Sequence, residues 1–251
     1  MKVYAFIPAR SGSKGLPDKN ILPIDGHPLL AYSVAFGRAL GIDRVFVSTD
    51  SEKYAEIARA YGAECPFMRS AEASSDTAME ESIIEDMTQK FPDHGIDIPD
   101  IWMRLKPTNP FRSLESVHKA IDILKTEPDV QSVRIISETE GRLVTINDNG
   151  WLEPMSDRWD FQHRSVMRRT EFPKAYSPYN LDVIRHENWV KHGSAYMGHR
   201  IKPIVEHGIT GLDINDSDDF EIIKAIIETR PRPEFLKRFL PEMPDQPLTA
   251  T

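Results

Sequence analysis

The chain has 251 residues, of which 40% are apolar and 28% charged, and its formal net charge is −8. This acidic balance argues against a general nucleic-acid-binding protein, because such proteins neutralise phosphates with clustered Lys and Arg. A single cysteine, Cys65, excludes an intramolecular disulfide and a cysteine-based zinc site, so we expect a buried structural thiol there.

No stretch of the sequence approaches the 18 consecutive apolar residues of a membrane span, and the short apolar opening does not have the pattern of a signal peptide. We therefore expect a cytoplasmic protein. The length suits one domain over residues 1–251, which can carry a smaller inserted segment.

The first predicted element is a short apolar strand over residues 3–7, which ends in a loop rich in Ser, Gly and Lys. This loop carries Arg10, Lys14 and Lys19. Backbone amides, small residues and cations together bind phosphate oxygens well. The loop matches neither a Walker A motif nor GxGxxG, so a surface turn with a solvated basic rim remains the alternative to a phosphate site.

Strands and helices then alternate along the chain. The predicted order is a helix over 29–40, a strand over 44–50, a helix ending at Gly62, a short strand over 63–67, a helix capped by Ser75 or Asp76 that contains Met79, a strand over 101–105, a helix capped by Ser113 and a strand over 130–136. Such alternation predicts βαβ units and an α/β fold with a doubly wound, mostly parallel sheet of the Rossmann-like type.

In such sheets ligands bind where parallel strands end. Four loops qualify, at residues 9–20, 48–51, 69–76 and 107–112. We expect the ligand among them.

The sequence changes character at residues 138–199, which we predict to be an inserted segment. It opens with a hairpin around Asn149-Gly150, and a stretch rich in Arg and His follows at residues 158–173. Such a charge run is usually a solvated face. The alternative is an arm that supplies cations to an anionic substrate, within one subunit or across a dimer interface.

A strand over residues 201–205 leads to a carboxylate cluster, and Ser217 or Asp218 can cap the helix that follows. We expect a mostly irregular tail from Arg230. Asp213 and Asp216 could bind a divalent cation that bridges to phosphate oxygens, because magnesium takes one or two carboxylates together with phosphate and water. The alternative is that residues 216–219 only cap the helix.

Five motifs in this order carry a family resemblance: IPARSGSKGLPDKN from residue 7, STDSEKYAEIARAYGAE from residue 48, RSAEASSD from residue 69, LKPTNPFRS from residue 105 and GLDIND from residue 211. The sequence resembles the acylneuraminate cytidylyltransferases, also called CMP-sialic acid synthetases. The resemblance covers about residues 3–136 and 201–224. The middle segment keeps little beyond Arg169, the triplet at 172–174 and Tyr176.

The resemblance implies a Rossmann-like nucleotidyltransferase fold and transfer of CMP from CTP to the anomeric hydroxyl of a 2-keto-3-deoxy sugar acid, with release of pyrophosphate and a need for Mg²⁺. It also implies a homodimer formed through the inserted segment. The candidate nucleotide-binding residues, which come from the family resemblance or from the cationic opening loop, are Arg10, Ser13, Lys14, Lys19, Asn20, Arg69 and Ala78. The catalytic residues among the candidates are Arg10, Lys19 and Asp213.

The acceptor and metal sites depart from the family pattern. The acceptor candidates are Lys106, Thr108, Arg169 and Tyr176, and the metal candidates are Asp213, Asn215 and Asp216. The family usually has Asp-x-Asp in its last motif, Gln-Pro-Thr-Ser-Pro where this chain begins with Lys106, and Asn-Gly-Ala after the tyrosine. Since the acceptor side differs, we predict a sugar other than ordinary N-acetylneuraminate.

Two other hypotheses stay open. The chain could be a nucleotidyltransferase for a sugar 1-phosphate or another nucleoside triphosphate. It could also be a non-catalytic nucleotide sensor, for which the neutral Asn215 is the one supporting feature.

Overall fold

A central sheet of six strands organises the computed structural model, which describes residues 1–161, 168, 171–193 and 196–240. The strands of this sheet and of two small hairpins are, in chain order, β1 (Val3–Pro8), β2 (Pro23–Ile24), β3 (His27–Pro28), β4 (Arg44–Ser48), β5 (Ile101–Arg104), β6 (Ser132–Thr139), β7 (Val144–Ile146), β8 (Leu152–Pro154), β9 (Ala175–Arg185) and β10 (Ile201–Glu206). The sheet order is β10-β6-β9-β5-β1-β4, and β2 with β3 and β7 with β8 form two small hairpins.

Helices cover both faces of the sheet. They are α1 (Leu29–Ala39), α2 (Glu52–Ala60), α3 (Ala71–Ser74), α4 (Glu81–Lys90), α5 (Leu114–Thr126), α6 (His186–His192), α7 (Ser217–Thr229) and α8 (Glu234–Phe239). Within the described ranges, no helix combines the length and the apolar character needed to cross a membrane.

Strand β1 shows why the sheet is buried on both sides. Val3, Ala5 and Ile7 pack in one apolar cluster with residues of α1, α2 and α5, whereas Tyr4 and Phe6 pack in a second cluster with residues of α4. Alternate side chains point to opposite faces of a strand, so a continuous apolar run needs cover on both faces. The predicted doubly wound α/β arrangement is confirmed.

The pairing is mostly parallel, as predicted. Strand β1 pairs in parallel with β4 and β5, and β10 pairs in parallel with β6. Strand β9 runs antiparallel between β5 and β6, with Met103 and Val133 both opposite Val183. This central strand was not predicted, and it lies inside the range 138–199.

Several local predictions were wrong. Residues 63–67 form no strand and contribute only an isolated bridge between Phe46 and Glu64. Neither Ser75 nor Asp76 begins the next helix, because α4 begins at Glu81, and Met79 lies before that helix and is 66% exposed. Helix α8, which lies within the tail from Arg230, was not predicted.

Other local predictions are confirmed. Ser113 caps α5 through its side chain, and Cys65 is buried. Burial raises the pKa of the Cys65 thiol to about 11, which is not the state of an activated nucleophile. The hairpin of β7 and β8 forms as predicted.

Candidate functional site

A pocket of about 430 Å³ lies where β1 and β5 end. Three loops line it, at residues 10–20, 69–80 and 106–108. It brings together the predicted residues Arg10, Ser13, Lys14, Lys19, Asn20, Arg69, Ala78, Lys106 and Thr108. Tyr176, Asp213, Asn215 and Asp216 are not among the lining residues, and Arg169 lies outside the described residues.

The opening loop is held in shape by its own polar groups. The Asn20 side chain is 5% exposed, and its Nδ2 donates to the Arg10 carbonyl oxygen at 3.1 Å. The Ser11 amide donates to the Asp50 carboxylate at 2.8 Å. Asn20 therefore fixes the shape of the loop, and little of its side chain is left exposed for contact with a ligand.

Glycine at position 15 allows this loop to approach the segment around Asn215. A Cβ atom at Gly15 would lie 2.6 Å from the Asn215 carbonyl oxygen, which is closer than real Cβ contacts. The first and last of the five motifs, 200 residues apart in sequence, therefore meet with main chain against main chain.

Two cations of the loop share one carboxylate. Arg10 Nη1 lies 2.8 Å from Asp76 Oδ1, and Lys14 Nζ lies 2.8 Å from Asp76 Oδ2. Hydrogen bonds from Lys14 and Arg10 hold the pKa of the Asp76 carboxyl below its usual value. Asp76, which is 51% exposed, thus pairs with both cations of the loop.

Lys19 also lines the pocket, and its Nζ donates to the Ile214 carbonyl oxygen at 2.8 Å. Burial lowers the pKa of its ammonium group, and the nearby carboxylates of Asp213 and Asp219 oppose that shift. The backbone of Ile214 is itself positioned by the loop at residues 106–108, because its amide donates to the Thr108 carbonyl oxygen at 2.9 Å.

The three metal candidates have different surroundings. Asp213 Oδ1 is buried and makes no hydrogen bond with any described residue. The Asn215 side-chain amide donates to Asp219 Oδ2 at 3.1 Å. Asp216 Oδ1 accepts the amides of Asp218 and Asp219 at 3.0 Å each, so Asp216 caps α7 in place of Ser217 or Asp218.

Asp213 thus has the oxygen atom best suited to a cation among these three, whereas Asp216 has the helix-capping role that was the alternative. Across the described ranges, no group of three or more His, Cys, Asp or Glu side chains is arranged to hold a metal ion. A site with one carboxylate has to be completed by phosphate and water oxygens, which is a usual arrangement for magnesium.

Arg69 is fixed beneath the pocket. It is 6% exposed, and its guanidinium donates from Nε to Ser48 Oγ at 2.9 Å and from Nη2 to the Ser48 carbonyl oxygen at 2.5 Å. Burial lowers the pKa of Arg69 to about 10. These bonds anchor the 69–80 loop to the end of β4. The predicted ligand loop at residues 48–51 therefore lies next to the pocket, although none of its residues is among those that line it.

Two residues that the sequence analysis did not single out, Glu80 and Arg104, lie close to Lys106. Lys106 Nζ lies 3.8 Å from Glu80 Oε1, and Arg104 Nη1 pairs with the other oxygen of Glu80. Lys106 is buried enough for its pKa to be lowered, and the charge of Arg104 lowers that pKa further. No motif contains Glu80 or Arg104, although Arg104 directly precedes the Leu-Lys-Pro-Thr motif.

Tyr176 lies on β9 opposite Glu138 and is 39% exposed, away from the pocket. The structure therefore groups the nucleotide candidates with Lys106 and Thr108 but does not bring Tyr176 to them within one chain.

Comparisons with known proteins agree on one class. Residues 4–192 match the family model described as cytidylyltransferase. A CMP-N,N'-diacetyllegionaminic acid synthase of Legionella pneumophila is 38% identical over 139 residues, which are 55% of this chain and 60% of that protein. An N-acylneuraminate cytidylyltransferase of Escherichia coli is 28% identical over 237 residues, which are 92% of this chain and 53% of that protein.

This chain therefore spans about half to three fifths of these two relatives. Among solved structures, CMP:2-keto-3-deoxy-manno-octonic acid synthetase complexed with CTP superposes with a TM-score of 0.65 at 17% identity. The match covers 91% of this chain and 99% of that one. At this identity the likeness describes the fold.

Proposed function

Because the chain belongs to the cytidylyltransferase family, we propose that it transfers CMP from CTP to the anomeric hydroxyl of a sialic-acid-like 2-keto-3-deoxy sugar acid and releases pyrophosphate. The observation that carries the proposal is the shared pocket: the cationic opening loop and Lys19 line it together with Lys106 and Thr108. We call the first group, Arg10, Ser13, Lys14 and Lys19, the nucleotide half, and Glu80, Lys106 and Thr108 the acceptor half.

The nucleotide half binds the triphosphate. Arg10 and Lys14 already hold a carboxylate with two short contacts, and phosphate oxygens bind cations of this kind in the same manner. The triphosphate has to replace Asp76 there. Because Asp76 is exposed, its exchange for phosphate costs little.

Lys19 is placed to act on the α-phosphate, at the end of the pocket nearest Asp213. In the reaction the acceptor oxygen forms a bond to the α-phosphorus, and the bond from that phosphorus to the pyrophosphate oxygen breaks. Catalysis of such transfers depends mainly on positioning and on neutralising the negative charge that develops. An ammonium group held by the Ile214 carbonyl suits this role because it needs little reorganisation.

Asp213 fits a magnesium ion, because its buried Oδ1 has no hydrogen-bond partner among the described residues. When bound there with the phosphates, the ion would neutralise the charge of the leaving pyrophosphate. We propose Asp213 as the protein ligand. Asp216 stays with the helix terminus, and Asn215 stays with Asp219.

We also propose a homodimer. The hairpin of β7 and β8 leaves Ile146 69%, Trp151 71% and Leu152 58% exposed. Exposed apolar side chains in such a group favour an interface. We further propose that Tyr176 of a second subunit contacts the acceptor. Light scattering should give twice the mass of one chain, and a monomer at working concentration would reject this assembly.

Incubation with CTP, Mg²⁺ and a panel of 2-keto-3-deoxy sugar acids should release pyrophosphate with at least one acid. A thermal-shift series with CTP, GTP, UTP and ATP tests the nucleotide separately, and CTP should stabilise the protein most. Stabilisation by GTP alone would point to a different nucleotidyltransferase. CTP binding without turnover of any acid would favour a nucleotide sensor.

A further inference from the structure

Asp213, the proposed magnesium ligand, has a carboxylate oxygen whose position depends on the backbone around it. Its Oδ1 is buried and makes no hydrogen bond with any described residue, so no neighbouring side chain orients that oxygen. Magnesium demands a nearly ideal octahedron of ligands, and a ligand that is displaced by a fraction of an ångström binds it poorly. The contacts that hold the backbone of this segment therefore matter for the proposed site.

The turn that follows β5 holds this backbone on both sides of Asp213. On the C-terminal side, the Ile214 amide donates to the Thr108 carbonyl oxygen at 2.9 Å. On the N-terminal side, the Leu212 carbonyl oxygen accepts from Asn109 Nδ2 at 2.9 Å. Two consecutive residues of one turn thus clamp the two residues that flank Asp213.

The side chain of Asn109 is matched to this task. It is 1% exposed, and its Nδ2 also donates to the Thr210 carbonyl oxygen at 3.1 Å. The amide nitrogen carries two hydrogens and can bind both carbonyl oxygens at once, which a hydroxyl group with its single hydrogen cannot do. Asn109 therefore fixes two carbonyls of the segment that leads into Asp213.

The turn that carries Asn109 is anchored in the interior of the protein. The Asn109 backbone amide donates to the Lys106 carbonyl oxygen at 3.3 Å, and the hydroxyl of Ser33 donates to the same oxygen at 3.1 Å. Arg112 also donates to that carbonyl. Ser33 is 0% exposed and belongs to α1. The clamp on Asp213 is therefore attached to a buried helix and not to a surface loop.

We propose that Asn109 is the positioning residue of Asp213 and thereby sets the affinity of the protein for CTP in the presence of magnesium. The inference rests on the proposed function and deepens it. Without the Asn109 amide, the carbonyls of Thr210 and Leu212 lose the donor they share, so the segment before Asp213 can shift while Thr108 still holds the segment after it. Residues that orient a metal ligand in this way contribute about 10- to 100-fold to metal affinity.

Calorimetric titration with CTP at several Mg²⁺ concentrations tests the proposal without turnover. Asn109→Ala should weaken the magnesium-dependent part of CTP binding about 10- to 100-fold. The affinity for CTP in excess EDTA should stay that of the wild type, because Asn109 is not among the residues that line the pocket.

A double-mutant cycle separates positioning from a general effect on the fold. Asp213→Asn and Asn109→Ala are measured singly and together. If Asn109 acts through the Asp213 carboxylate, the two losses should not add, and Asn109→Ala should weaken magnesium-dependent binding by only about twofold or less in the Asp213→Asn protein.

Asn188→Ala is the matched control. Asn188 is 2% exposed, and its Nδ2 donates to the Gln131 carbonyl oxygen at 2.5 Å, so it is also a buried amide that holds a backbone carbonyl, but it does not line the pocket. Both alanine variants should lower the melting temperature, and only Asn109→Ala should change the magnesium dependence. Asn109→Ser keeps one donor and is a milder variant in case Asn109→Ala does not fold; it should weaken magnesium-dependent binding by a smaller factor.

Wild-type affinity at every Mg²⁺ concentration in the Asn109 variants would overturn the inference, and so would losses that add fully in the double mutant. An equal loss with Mg²⁺ and with EDTA would also overturn it, because Asn109 would then support the pocket as a whole. A wild-type protein that binds no CTP, with or without Mg²⁺, would instead reject the proposed function, so the two failures are distinguishable.

Discussion

The nucleotide half of the pocket keeps two cations on one exposed carboxylate, whereas the acceptor half keeps its charges in a chain that runs into the interior. Asp76 is 51% exposed, but Asp182 and Arg104 are 0% and 3% exposed. Exposed pairs break at little cost, and buried pairs lose much when one partner is removed. The first half is therefore built to exchange its anion, and the second is built to keep its geometry.

The largest expected effect comes from breaking the ion pairs that Asp182 makes with Arg104 and Arg134. Asp182→Ala leaves Arg104 and Arg134 without the carboxylate they share, and we expect the free energy of unfolding to fall by about 3–5 kcal/mol. Urea denaturation measures this. Glu187→Gln removes an exposed pair with Lys191 and should change the midpoint little. A similar small change in both variants would remove the contrast between the halves.

The second-largest effect is expected for Lys19→Met, which should lower the rate of CMP transfer without lowering the stability of the fold. Removing one preorganised charge from a transition state costs about 100- to 1000-fold in kcat. Stability should hold or rise, because burial already lowers the pKa of the Lys19 ammonium group and Met avoids that desolvation.

Single-turnover measurement of CMP transfer, paired with a melting curve, checks both parts of this prediction. Lys53→Met offers a control at an exposed lysine outside the pocket. Loss of kcat together with a lower melting temperature would mean that Lys19 supports the fold.

The metal candidates should separate in a third experiment. Asp213→Asn should weaken the magnesium-dependent part of CTP binding about 10- to 100-fold, which calorimetry at several Mg²⁺ concentrations can follow without turnover. Asp216→Asn is the matched control, because Asn caps helices as well as Asp does. If Asp216→Asn weakens Mg²⁺-dependent binding as much as Asp213→Asn, then Asp216 is also a ligand.

Local sequence patterns predicted the fold and most residues of the pocket, but they did not predict contacts between residues far apart in sequence. The five motifs predicted the family and the doubly wound sheet, and both are confirmed. The loops at residues 10–20 and 106–108 were found because they follow β1 and β5, whereas Arg69 and Ala78 line the pocket from a segment that follows no strand. Their roles in catalysis and binding remain predictions.

Strand β9 and the charges behind Glu80 could not be found in this way. Polar residues such as Asn180 and Asp182 are buried within β9 and interrupt the apolar pattern by which a central strand is recognised. The partners of Asp182 are 78 and 48 residues away in sequence. Asp76 was predicted to cap a helix because its actual partner, Arg10, is 66 residues away and no local pattern indicates that contact.

Asp76→Asn should give the smallest effect and the sharpest test of exchange in the nucleotide half. The variant removes the internal competitor for Arg10 and Lys14, so CTP should bind roughly two- to fivefold more tightly. Raising the salt concentration should shrink the difference, because exposed charges are screened. Glu72→Gln removes one charge from an exposed residue of α3 and controls for general electrostatics. Weaker CTP binding in Asp76→Asn would mean that Asp76 assists the nucleotide instead of competing with it, and the nucleotide half would then keep its carboxylate as the acceptor half does.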